Sequence, residues 1–115
     1  MLEGIFGNKT AEKVLLHVFH FGEIYPSAIA QDYGLALDPV KRQLERFERV
    51  GVLVAKQVGR ARVFSFNPKS AYAGPVKELV ERLYKSIPLK EREKLFSVRR
   101  RPRLKGKPIV VRKDA

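Results

Sequence analysis

The chain has no cysteine and no tryptophan, and only two histidines, among its 115 residues. Without cysteine there is no disulfide framework and no thiolate metal site, which excludes a stapled secreted scaffold and suits a reducing compartment. His17 and His20 sit three apart on one helical pattern, but no clustered carboxylate completes a site with them. They are expected in core or surface roles, with no metal or other cofactor. No His-Glu-x-x-His pair, phosphate-cradling glycine loop or nucleophile elbow occurs, and the acids alternate with basic residues as surface pairs do, so no enzyme is expected. No apolar run approaches the roughly 20 residues of a membrane span, and no charged-then-apolar leader opens the chain. The expectation is a cytoplasmic protein, neither embedded nor exported.

Acidic residues are the other scarcity: 12 against 24 Lys plus Arg, for a net charge of +12 and a pI near 10.3. Such a balance directs a protein to polyanions. The charge is uneven: residues 1–37 carry −2, residues 38–66 carry +4, residues 67–96 carry +3 and residues 97–115 carry +7. At 44% hydrophobic residues, the chain has apolar material for one folded domain, placed at 1–96, followed by a basic extended C-terminal arm at 97–115.

Periodicity supplies the elements. Val14, Leu15, Val18, Phe19 and Phe21 fall at helical spacing from Lys9 to Phe21, with Thr10 near the start and Gly22 beyond the end. A second helix is predicted over Pro26–Tyr33, with proline in the first turn and Gly34 to end it in the left-handed conformation; Ala28, Ile29 and Tyr33 form its inner side. Asp38-Pro39 opens a third helix by capping, which Gly51 stops. Within it Val40, Leu44, Phe47 and Val50 turn inward, leaving Lys41, Arg42, Glu45, Arg46 and Arg49 on a basic outer face. Leu53–Val58 and Arg62–Phe66 read as a hairpin around Gly59-Arg60-Ala61, ended by Asn67-Pro68. A fourth helix is expected over Pro75–Ile87, with Val76, Leu79, Val80, Leu83 and Ile87 on one side. Pro88 breaks it, and Lys90–Phe96 adds a turn or two.

The order helix, helix, turn, helix, hairpin, helix is that of a winged helix-turn-helix. The fold class is therefore mainly α with a small β-hairpin, an extra C-terminal helix and a basic arm. Ala30 is small where the two helices of the helix-turn-helix meet, Gly34 makes the turn, and Val40 anchors the third helix. The stretch Asp38-Pro39-Val40-Lys41-Arg42-Gln43-Leu44-Glu45-Arg46-Phe47-Glu48-Arg49-Val50-Gly51-Val52-Leu53 resembles the recognition helix and first wing strand of the ArsR/MarR-like superfamily of winged-helix regulators. Gly59 to Pro68 resembles its wing and exit, and the resemblance covers about residues 9–87. It implies that helix 38–51 enters the major groove of double-stranded DNA while the wing touches flanking backbone or minor groove. Lys41, Arg42, Gln43 and Arg46 are then the candidates for reading bases, with Arg suited to guanine O6/N7, Gln to adenine N6/N7 and Glu45 to cytosine N4. Arg60 and Arg62 are candidates for backbone contacts, and Arg49 for a helix-dipole partner or surface charge.

In the arm, Arg99, Arg100, Arg101, Arg103, Lys105 and Lys107 are candidate DNA contacts. Lys105-Gly106-Lys107-Pro108 resembles an AT-hook core with lysines in place of arginines, while Arg100 stands where a hook needs glycine. A minor-groove arm, a sequence-blind phosphate clamp and a solvated tail remain open. The apolar faces of the first and fourth helices predict a homodimer on an inverted repeat, with folding back of helix 75–87 on its own core as the alternative. The leading function is a sequence-specific transcriptional regulator, a dimeric repressor. The alternatives are a structural nucleic-acid binder, since basic extensions of this kind resemble those of ribosomal proteins, and an interaction protein docking a partner through helix 75–87 or residues 109–111.

Overall fold

Capping sets the first boundary. The computed structural model describes residues 3–96, beginning with a single turn, α1 (Glu3–Phe6), that the sequence pattern did not reveal. Asn8 then accepts the N–H of Ala11 through its side chain at 2.8 Å and starts α2 (Lys9–Phe21), satisfying one donor that a helix start leaves open. Helix α3 (Pro26–Tyr33) ends at Gly34 with φ 65° and ψ 36°, the left-handed conformation glycine adopts without a Cβ penalty. Gly34 and Leu35 return N–H bonds to the carbonyls of Gln31 and Ala30, closing the turn that swings the chain into α4 (Leu37–Arg49).

Two expectations for α4 need correction. Ala36 is its N-cap and Leu37 its first residue, so Asp38 lies inside the first turn, where its side chain makes no capping bond and acts on the helix dipole instead. Val50 is 56% exposed: the helix ends at Arg49, and the positive φ of Gly51, 88°, turns the chain before that side chain can reach the core.

The wing is a three-stranded antiparallel sheet, one strand more than the sequence suggested. β1 (Glu23–Ile24), β2 (Leu53–Val58) and β3 (Ala61–Phe66) lie in the order β1-β3-β2. Val58 pairs with Ala61, so β3 starts one residue early and the turn is Gly59-Arg60 alone, with Gly59 at φ 61°, as tight hairpins require. Asn67 ends the hairpin: its N–H bonds Val52 O, its Nδ2 donates to Gly51 O and its Oδ1 accepts from the Lys69 N–H.

The last long helix, α5 (Ala73–Ser86), begins two residues before Pro75, because Ser70 Oγ accepts the N–H groups of Tyr72 and Ala73. Its apolar side packs on α2 within the same chain, which is the folding-back alternative. The core joins Val14, Leu15 and Val18 of α2 with Ile29, Val40, Leu44, Leu53, Phe64 and Val80, all buried. The segment 97–115, expected as an arm, lies outside the described residues.

A second cluster ties the helices at the far end of α2. His17, wholly buried, donates from Nε2 to Asp32 Oδ2 of α3 at 2.9 Å. Phe96 follows α6 (Leu89–Leu95) and stacks on His20 with centroids 4.1 Å apart and planes 11° from parallel. The Tyr84 hydroxyl and His20 Nδ1 share a hydrogen bond at 2.8 Å. Burial lowers the pKa of His20 from 6.5 to about 4, with His17 and Arg92 adding to the shift.

Two outcomes follow for stability. Leu44→Ala lowers unfolding free energy by about 2–5 kcal/mol in urea titrations, whereas Val50→Ala stays within about 0.5 kcal/mol. Because His20 binds its proton at about 4 when folded and near 6.5 when unfolded, the unfolded chain takes up the proton first as pH falls. Stability therefore declines from pH 6.5 down to about 4, and melting temperatures of His20→Gln decline less over that window.

Candidate nucleic-acid interface

Burial of Val40, Leu44 and Phe47 fixes which side of α4 faces outward. Lys41, Arg42 and Arg49 stand on the exposed side, while Gln43, Glu45, Arg46 and Glu48 are intermediate. Rows four residues apart share a helix face, and Leu37, Lys41 and Glu45 form such a row. With Tyr25, Pro26 and Ser27 at the start of α3, and Arg60, Ala61, Arg62 and Phe64 of the wing, that row lines a cleft of about 300 Å³. Its lining is mostly apolar, with three cations, Lys41, Arg60 and Arg62, against one acid, Glu45. Its α3 wall was not anticipated from the sequence: Pro26-Ser27 was legible as a helix start, but only the packed turn shows that this start faces the wing.

The six candidate cations and amides among the described residues divide into two groups. Lys41, Arg42 and Arg60 are exposed and form no ion pair with another described residue. The other three have partners inside the chain. Arg46 donates from Nε and Nη2 to Gln43 Oε1 at 3.1 and 2.9 Å, and from Nη2 to the Phe6 carbonyl, while its guanidinium lies 4.8 Å from the Phe47 ring centre. Gln43 and Arg46 thus lock α1 against α4. Arg62 donates to Glu48 Oε2 at 2.7 Å and lies 5.2 Å from the Phe64 ring centre, bracing the wing against α4.

Magnitudes separate these two attachments. The Arg62–Glu48 side chains are 45% and 33% exposed, and such pairs contribute about 0–1 kcal/mol. A competing anion can take Arg62 at small cost. Arg46 serves a backbone carbonyl at a helix end, and hydrogen bonds to charged groups contribute about 1.5–3 kcal/mol. Redirecting it would release α1. Arg99, Arg100, Arg101, Arg103, Lys105 and Lys107 lie outside the described residues.

The fold that carries this arrangement recurs in solved structures. The antimony-specific transcriptional repressor AntR is 20% identical with a TM-score of 0.55, over 73% of this chain and 74% of that one. A cysteine-to-serine mutant of MarR from E. coli is 15% identical with a TM-score of 0.58, over 84% of this chain and 68% of that one. The fold is that of the MarR-type winged-helix regulators. The adhesin competence repressor AdcR from Streptococcus pyogenes shares it at 13% identity and a TM-score of 0.57, over 78% of this chain and 66% of that one. The chain thus spans about two thirds to three quarters of the length of these MarR-type structures. No family model and no curated protein matches the sequence. No helix among the described residues is long and apolar enough to cross a membrane.

Arg46→Ala is expected to lower stability by about 1.5–3 kcal/mol and to speed amide exchange in α1, read by hydrogen–deuterium exchange. Unchanged exchange in Glu3–Phe6 would show that Arg46 does not hold that turn.

Proposed function

We propose that the chain is a sequence-specific double-stranded DNA-binding regulator that reads the major groove with α4 and clamps the backbone with its wing. The observation that carries this reading is the placement of Lys41, Arg42 and Arg60, exposed and unpaired among the described residues, on the helix and wing of a MarR-type fold. Duplex DNA presents base edges to a helix laid in the major groove, with phosphates flanking it. Lys41 and Arg42 address guanine O6/N7, and Arg60 contacts backbone. Arg62 joins it by exchanging Glu48 for a phosphate. Gln43 and Arg46 serve the helix from within, holding its N-terminal support, and are secondary to base reading.

Repression by occlusion, as a dimer in the cytoplasm, completes the proposal. AntR and AdcR are repressors, and a DNA-bound domain acts most simply by covering a site. With the apolar side of α5 engaged in its own core, the second copy meets Ile5, Leu89 and Leu95, which are 65%, 61% and 37% exposed. The basic residues of 97–115 add affinity without sequence preference.

The test is selection of bound fragments from sheared genomic DNA, with structured RNA as competitor, at about 150 mM salt, where non-specific attraction is weakened. A shared inverted repeat supports the dimeric regulator. Recovery of RNA, or of DNA with no common sequence, supports instead a structural nucleic-acid binder, which the charge of +7 in residues 97–115 would favour. On a selected site, Arg42→Ala costs about 1–3 kcal/mol and relaxes base preference. Deleting 97–115 weakens all sequences together and flattens the salt dependence, measured by fluorescence anisotropy.

A further inference from the structure

Leu37 is the first residue of α4, is 42% exposed, and lines the same cleft as Lys41 and Arg60. A single exposed leucine elsewhere would need no explanation. At this position it occupies the end of the helix that reaches base edges first, on a surface whose other exposed groups, Asp38, Lys41, Arg42 and Arg60, are charged. An apolar group there lowers affinity for a polyanion unless the polyanion offers it something apolar. The major groove offers one such group, the C5-methyl of thymine.

We infer that Leu37 is a specificity-determining residue that packs against a thymine methyl in each bound site, an inference that rests on the reading of α4 as the base-contacting helix. Pro26 and Phe64 line the same cleft, so a methyl entering beside Leu37 meets carbon on more than one side. Lys41 lies one turn further along the same face, about 6 Å at 1.5 Å per residue, or about two base-pair steps. The thymine therefore sits within about two base pairs of the base that Lys41 addresses. Because uracil differs from thymine only by this methyl, the contact has a chemical readout that charge and shape do not share.

The experiment uses the full chain and the DNA site recovered by selection, replacing each thymine in turn by deoxyuridine. Removing a buried methyl corresponds to about 0.8 kcal/mol, or about a fourfold loss of affinity. The expected result is one position per half-site where the wild type loses about fourfold and Leu37→Ala binds thymine and uracil duplexes equally. Any loss of folded protein in Leu37→Ala lowers both affinities together and leaves their ratio intact. A preferred sequence bound without thymine–uracil discrimination, or with discrimination that survives Leu37→Ala, overturns the inference while leaving the DNA-binding reading in place. A selection that returns no preferred sequence overturns both.

Discussion

A thirteen-residue helix can turn only one stripe toward a core, and in α4 that stripe belongs to Val40, Leu44 and Phe47. Once those three are buried against α2 and α3, the azimuth of every other side chain on the helix is settled. Lys41 and Arg42 project outward because they have nowhere else to go, and the Leu37-Lys41-Glu45 row turns toward the wing. The basic surface is thus a consequence of core packing. It needs no rigid loop of its own, and helices and strands hold side chains more exactly than loops do.

The cations on this surface are not equivalent, although they look alike in sequence. Arg46 bonds Gln43 and the Phe6 carbonyl and belongs to the framework. Arg62 pairs with Glu48 across a partly solvated gap, where the pair is weak and exchangeable. Lys41, Arg42 and Arg60 have no such tie among the described residues. Framework, exchangeable brace and free charge are thus three distinct states among residues of one type, and both α4 and the wing carry charges of the last kind.

Most of the architecture was legible because the elements are strongly periodic and sharply punctuated. Helices α2 and α3 have the predicted bounds, with Gly22 and Gly34 at their ends, and the hairpin was evident from Gly59 between β-branched and aromatic runs. What escaped were features set by tertiary contact. β1 is two residues long, too short to carry an alternation, and exists because β3 offers an edge. α1 is a single turn held by Arg46 from forty positions away. Val50 continued the helical spacing of Val40, Leu44 and Phe47, but Gly51 ended the helix before the pattern could act. In the candidate site, the sequence marked the cations and could not tell which of them had partners.

Phe96 is the last described residue, and α6 before it buries none of its own side chains. The seat of that ring among His17, His20, Phe21 and Tyr84 therefore acts as a mooring.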